Sequence, residues 1–456
     1  MSHWKALEPL IVEDAVRALR ELLAEHPHEQ FYAAAFQNLY RELDGPVYLP
    51  GLSANSVDAR EDGPSGDFWE ADWNPPDWRW DDIAFQSPAL AAAAGAASNA
   101  MQQDTRAAWL AAERECIDML IAASQKIREA LGNSPQLTPD FVVFLHDEEG
   151  GSTLARRCIG DPAFFELFPA EAKNDRERQR VAALPVAERV DWLVGRLNRL
   201  DGAFSSEEAA EQLCAIGAPA VPALLVRMGT GKSKHGWHSA QLLGRIGVAT
   251  PEVLAALQKQ MATSRDQPTR EWAARALAYL GQGDWLLEQL SRADNPMPPL
   301  LMIEGLCAPY SSFRDPTPLP LDYRPLEALL AGPASTVDAV LDILKPGSSY
   351  CTLRPGEIDE ALRGLGSPHA FVRRHAASLF NDRGLGTAVG ERALPVLAER
   401  IAHDDDAVVR WESIESLGAW KRAGQPWRAV VERAAREDPH ERVRDAAQSL
   451  LDDAAA

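Results

Sequence analysis

A segment that recurs every 30 to 37 residues constrains the fold of this chain more than any other feature. Three segments superpose with a Leu and a Gly in register, at steps of 30 and 34 residues: Leu213, Leu243 and Leu277, and Gly217, Gly247 and Gly281. A second set carries Val-Arg pairs at steps of 37 and 34 residues, with Arg373, Arg410 and Arg444. Such self-similarity indicates a repeat array, in which each helix pair buries its apolar face against its neighbours. We therefore expect an all-α superhelical solenoid over residues 185–456.

The units of this array share further features besides the Val-Arg pair. Small residues follow it, as in Ala376-Ala377 and Ala446-Ala447, and the segments GAPAVPAL and GERALPVL both show Gly-x-x-Ala-x-Pro-x-Leu. In these features the units resemble HEAT repeats, and the resemblance implies six or seven units over about residues 185–456. It implies little about function, since one fold supports many functions. We expect the recurring arginines to pair with acidic turns of their own or a neighbouring unit.

A Pro-rich insertion at 308–333 interrupts the array with six prolines and two tyrosines. A connection this long inside a compact solenoid is often functional or a spacer. We expect one superhelix to continue through it, with a break between two stacks as the alternative.

The first part of the chain has a different pattern. An amphipathic helix at 7–25 precedes two strands at 31–40 and 47–52, which a turn at 43–46 joins as a hairpin. Helix then resumes over 90–131, and an apolar strand follows at 140–151. This order predicts an α+β domain over residues 1–170, acidic and rich in Trp, followed by a charged linker at 171–184 and then the solenoid, so that the chain is mostly α overall.

Three motifs in this domain resemble those of a bacterial family. They are FYAAAFQ, PPDWRWDD and FVVFLHDEEG, within about residues 5–168. The family is known only as a domain of unknown function, often met near polymorphic-toxin immunity genes. The resemblance implies an immunity-related role and no catalytic residues.

Charge is concentrated in the same domain. The chain of 456 residues has a net charge of −21, of which −15 falls on residues 1–180. Binding to nucleic-acid phosphates requires clustered Lys and Arg, so this balance argues against it and favours a basic partner.

The segment from Asp67 to Asp82 carries four tryptophans among six acidic residues. Tryptophan beside carboxylates is the composition of an interface for a basic protein. The candidate partner-binding residues are Asp67, Trp69, Glu70, Asp72, Trp73, Asp77, Asp81 and Asp82. We expect Trp78 and Trp80 to face the core. Trp69 and Trp73 form the more exposed pair, with burial as the alternative.

No motif for catalysis or for a cofactor is present, and the sequence predicts that the chain is not an enzyme. The segments His146–Glu149 and His403–Asp406 could suggest metal ligands. The first is better interpreted as an acidic turn and the second as a helix cap, so no metal is assigned. Five widely spaced cysteines and no long apolar run indicate a cytoplasmic protein without a membrane anchor.

These observations favour a cytoplasmic immunity protein that binds a cognate secreted toxin, or another basic protein, and occludes it. Two alternatives stay open: a HEAT-like nucleic-acid enzyme of the DNA glycosylase type, and a general protein scaffold. The sequence leaves the oligomeric state open.

Overall fold

The computed structural model describes residues 3–39, 48–60, 67–100, 106–132, 134–148, 150–199, 202–229, 236–345, 350–420, 424 and 426–453. The chain divides into two compact units, Met1–Glu177 and Arg178–Ala456. The first combines helices with a small sheet and the second is built of paired helices, which confirms the predicted fold class.

One sheet of four strands forms within the described part of the first unit, in the order β3-β2-β1-β4. The strands are β1 Phe31–Gln37, β2 Gly51–Ser56, β3 Trp80–Ile83 and β4 Leu137–Leu145. β2 is antiparallel to both β1 and β3, whereas β4 is parallel to β1. The central strand β1 is buried along its whole length, as its continuous apolar sequence requires.

The predicted strands are found with different bounds: β1 ends at Gln37, β2 begins at Gly51, and β4 is Leu137–Leu145 in place of 140–151. The strand β3 was not predicted. The turn predicted at 43–46 lies outside the described residues.

The helices of the first unit include the predicted helical segments at 7–25 and 90–131, apart from residues 101–105, which lie outside the described residues. These helices are α1 His3–Glu25, α2 Pro88–Ala100, α3 Arg106–Leu131, α4 Thr153–Ile159, α5 Asp161–Leu167 and α6 Pro169–Ala182. Most of the charged segment at 171–184 is helical and lies in α6, which contains the division between the two units.

The second unit consists of consecutive helix pairs. The first helices are α7 Val186–Arg196, α9 Val221–Gly229, α11 Pro251–Thr263, α13 Gly283–Ser291, α15 Arg324–Leu330, α17 Ile358–Leu365, α19 Thr387–His403 and α21 Arg428–Glu437. Their partners are α8 Ser206–Ile216, α10 Gly236–Ile246, α12 Gln267–Tyr279, α14 Pro299–Cys307, α16 Ala334–Ile343, α18 Ala370–Ser378, α20 Ala407–Ala419 and α22 Glu441–Asp453. The described residues thus contain eight pairs, more than the six or seven expected.

The repeat register read from the sequence is correct in three dimensions. Gly217, Gly247 and Gly281 follow α8, α10 and α12, and their φ angles are +73°, +75° and +76°. Helices commonly end in this left-handed conformation, which glycine adopts at least cost. The aligned leucines are all buried in one core that extends from Val190 to Ala447.

Two of the three recurring arginines pair with an acidic side chain of the neighbouring unit, and the third, Arg444, bonds the Asp438 carbonyl oxygen of its own turn at 2.8 Å. Arg373 binds Asp404 through Nε and Nη2, both at 2.8 Å, and Arg410 binds Asp438 in the same way at 2.7 and 2.9 Å. Each acidic residue lies in the turn before the second helix of the next pair. Asp406 accepts hydrogen bonds from the peptide N–H groups of Val408 and Val409, which confirms the helix cap.

The Pro-rich insertion is an ordered part of the core. It contains two 3₁₀ turns, Ala308–Tyr310 and Ser312–Arg314, as well as α15. The fully buried Arg314 guanidinium binds the Glu357 carboxylate at 2.5 and 3.1 Å. Core residues continue on both sides of the insertion, so the core is not interrupted there.

Among the described residues, no single helix is long and apolar enough to cross a membrane. One sharply bent pair, Ser206–Ile216 with Ala218–Gly229, has the required length and composition only when both are taken together.

Candidate protein-binding surfaces

The Trp-rich acidic segment is folded more tightly than its composition indicates. Trp73 is only 3% exposed, so the expectation that it pairs with Trp69 on the surface is wrong. The 3₁₀ turn Ala71–Trp73 directs its indole inward, where it lies 4.7 Å from the Phe168 ring and 5.2 Å from the Tyr32 ring. Trp78 is buried as predicted, while Trp80 is half-buried beside Phe31.

Trp69 is the exposed tryptophan of this segment, with 60% of its surface open to solvent. Its peptide N–H donates to the Asp67 carboxylate at 3.1 Å, and its ring meets Phe68 edge-on at 5.5 Å. The far edge of the indole lies over Gly151, where an added Cβ would come within 3.3 Å of it. The indole is therefore held in place before any partner binds.

The acidic candidates separate into two groups. Asp67 and Asp72 are half-buried, the first at the Trp69 N–H and the second 3.7 Å from Arg60. The other side chains are exposed: Glu70, Asp77, Asp81 and Asp82. Of these, Asp77 accepts a hydrogen bond from Asn74 at 2.7 Å. The exposed carboxylates come before and within β3, the edge strand of the sheet.

A second surface, in the repeats, was missed by the sequence analysis. We call it the arginine–aromatic surface, and it consists of two clusters: Trp272, Arg275 and Phe313 in one, and Trp411 and Arg442 in the other. The Arg442 guanidinium lies 3.7 Å from the centre of the Trp411 ring, and that of Arg275 lies 5.0 Å from Trp272. Stacked guanidinium and aromatic groups of this kind attract one another and are common in protein interfaces.

Arg374 and Trp411 occupy related positions in consecutive units. Arg374 directly follows Arg373, and Trp411 directly follows Arg410. Each therefore lies one residue after an arginine that pairs with an aspartate of the next unit. The next position holds Glu412 in α20, whose burial raises its pKa to about 7. A repeat alignment extended to side chains outside the core would have shown this pattern. The contact with Phe313 depends on the insertion and could not be found in that way.

The structure also locates the two motifs considered as metal sites. His146 is buried, and burial lowers the pKa of its imidazole. Asp147 pairs with Gly151 in a β-bridge, while Glu149 lies outside the described residues. No group of three His, Cys, Asp or Glu side chains with metal-binding geometry occurs in the part of the chain that the structure describes.

Comparison with known proteins agrees with the helical repeats. Residues 203–278 match the family model of HEAT repeats. Paired helices stacked on a common core and matching this model are typical of protein-interaction scaffolds. No curated protein matches the chain.

One similar solved structure is described as human deoxyhypusine hydroxylase in complex with glycerol. It is 18% identical, and the match covers 62% of this chain and 99% of that chain with a TM-score of 0.25. That neighbour is an enzyme by name, so the prediction that this chain is not an enzyme, which was made from the absence of catalytic motifs, is withdrawn. A match this weak transfers no activity or substrate to the present chain.

Proposed function

We propose that this protein is an immunity protein that binds a secreted toxin and occludes it. The observation that carries the proposal is Trp69, a largely exposed tryptophan in a segment that also carries four exposed carboxylates. Such aromatic anchors dominate binding energy in protein interfaces, while nearby charges steer the approach of an oppositely charged partner. The partner would accordingly be basic.

The family resemblance of the first 168 residues and the repeat array support the same function. Helical repeats offer a large surface, and occlusion of a toxin requires one. The five cysteines form no disulfide, in keeping with action in the reducing cytoplasm of a bacterium.

The test is co-expression with the product of the neighbouring gene. We expect that product to arrest growth when expressed alone, and this protein to restore growth and to form a stable complex with it. Trp69→Ala should weaken the complex by about 2 kcal/mol, or roughly thirtyfold in Kd, measured by calorimetry. Tyr48→Ala is the control, because Tyr48 is an aromatic residue of the same unit that is 63% exposed.

A neighbouring product without toxicity, or one that forms no complex, would refute the proposal. Equal losses in Trp69→Ala and Tyr48→Ala would show that Trp69 is not the anchor. Several weak partners in place of one tight partner would favour a general scaffold, and retention on DNA at low salt would favour a nucleic-acid enzyme.

A further inference from the structure

One patch of the arginine–aromatic surface combines aromatic rings with carboxylates. Phe313, from the insertion, meets Trp272 of α12 edge-on at 5.4 Å between ring centres. Arg275 lies beside both rings, 5.0 Å from Trp272 and 5.8 Å from Phe313. Glu271 of α12 and Glu304 of α14 complete the patch.

Phe313 is exposed and yet mounted rigidly. Half of its surface, 49%, is open to solvent. The next residue is Arg314, fully buried in its bidentate ion pair with Glu357 and bonded to the Thr352 carbonyl oxygen at 2.7 Å. A ring held in this way loses little conformational entropy when it binds a partner.

Glu304 supplies an unsatisfied acceptor. Its Oε2 atom is buried, and no group in the described part of the chain donates a hydrogen bond to it. More than about nine in ten buried polar groups are hydrogen-bonded, so such an atom calls for an explanation. Burial, with a contribution from the negative charge of Glu271, raises the pKa of this carboxyl group, whereas Arg275 lowers it.

The charges of the patch favour a cation. Glu271 and Glu304 are two acids against Arg275, and the Arg275 guanidinium already lies beside the two rings. A guanidinium arriving from a partner would find the exposed Phe313 ring, and the Glu304 carboxylate on the neighbouring helix. Arginine suits both, because its planar group stacks on rings and donates several hydrogen bonds.

We propose that Glu304, Trp272 and Phe313 form a binding site for an arginine side chain of a basic protein partner. The Glu304 side chain turns outward and its carboxylate accepts from the guanidinium, while the guanidinium plane lies against the exposed Phe313 ring. This inference rests on the proposed function for the identity of the partner and places a second point of contact in the repeats.

The probe is acetyl-arginine methylamide, with acetyl-citrulline methylamide as a neutral compound of nearly the same shape. Indole N–H signals of the ¹⁵N-labelled full-length protein report binding, and the Trp272 signal is assigned with Trp272→Phe. We expect the arginine compound to shift the Trp272 signal and the citrulline compound to leave it unchanged. In Glu304→Gln the affinity should fall about tenfold or more, because a hydrogen bond between charged groups is lost.

Val226→Ala is the control, as Val226 is an apolar residue of the same unit that is 69% exposed. Its affinity for the arginine compound should equal that of the wild type, while Phe313→Ala should weaken binding. Equal shifts with both compounds, or unchanged affinity in Glu304→Gln, would overturn the inference.

The two proposals fail separately. If the toxic neighbouring product binds Glu304→Gln as tightly as the wild type, the arginine site is refuted and the immunity function stands. If that product forms no complex while the arginine compound still shifts Trp272, the immunity function is refuted and the site stands.

Discussion

At the scale of single residues, burial strongly perturbs His375 in α18. Its Nδ1 lies 2.7 Å from the Tyr323 hydroxyl and its Nε2 lies 3.0 Å from the Tyr310 carbonyl oxygen. Burial lowers the pKa of this imidazole from 6.5 to about 3. His375 is therefore neutral in the folded protein throughout the physiological range, and it joins the insertion to the repeat that follows.

This shift predicts a loss of stability in acid. The folded state holds its imidazole neutral, whereas the unfolded chain takes up a proton below about pH 6.5. The contribution of His375 is present above pH 6.5 and decreases by about 1.4 kcal/mol per pH unit as the pH falls toward 3. Urea unfolding of the wild type and His375→Gln between pH 7.5 and pH 5 measures the effect. The stability difference between the two proteins should change with pH, and parallel curves would contradict the assignment.

At the scale of an element, the turns after the second helices provide a matched pair of glycines. Both Gly247 and Gly281 have φ near +75°, a conformation that costs a residue with a side chain about 1 kcal/mol. A Cβ at Gly281 meets nothing within 4 Å, but one at Gly247 would lie 2.3 Å from Cγ of Pro318.

We therefore expect Gly281→Ala to cost about 1 kcal/mol of unfolding free energy and Gly247→Ala distinctly more. Denaturant unfolding of the two variants measures the difference. Equal losses would show that Pro318 moves away from the added side chain, so that the insertion is not packed rigidly against the end of α10.

The arginine–aspartate pairs between successive repeats make another prediction at this scale. Asp438→Ala leaves the largely buried Arg410 without its carboxylate, and we expect a loss of about 3 kcal/mol. The control is Asp359→Ala, which removes an exposed ion pair with Arg392 and should cost less than about 1 kcal/mol. Thermal unfolding of both variants measures the losses. Similar values would show that the arginine–aspartate pairs between repeats stabilise the fold no more than an exposed ion pair does.

The elements also show which inferences the sequence could support. The repeat period could be read from Leu213, Leu243 and Leu277, because each is a buried leucine followed four residues later by the glycine after its helix. The insertion was expected to interrupt the array, yet it contains α15, which pairs with α16 although it lacks that pattern. Trp73 was placed wrongly because local composition does not show which way a 3₁₀ turn directs its indole. The contact of Phe313 with Trp272 joins residues far apart in the chain, which no local pattern predicts.

At the scale of the whole molecule, the net charge of −21 predicts how a partner would associate. Long-range attraction accelerates encounter and is screened by salt, whereas contacts already formed are affected much less. The association rate of the basic partner should fall by about tenfold or more between about 50 and 500 mM salt, with a nearly constant dissociation rate. Stopped-flow kinetics measure both rates.

The double variant Asp81→Asn/Asp82→Asn tests where this attraction originates. It should bind more slowly than the wild type at low salt and equally fast at high salt. An association rate that does not depend on salt would refute electrostatic steering by this protein.

The arginine–aspartate pairs that join successive repeats also bear on how such a chain can change in evolution. Arg373 bonds the Ser367 carbonyl oxygen of its own turn and the Asp404 carboxylate of the next, and Arg410 repeats this with the Asp404 carbonyl oxygen and Asp438. The turns at Asp404 and Asp438 each offer a carbonyl oxygen and a carboxylate, so duplication of the whole unit between them would restore each bond at the new junction. Insertion of half a unit would leave a buried guanidinium unpaired. This end of the array can therefore lengthen in whole units.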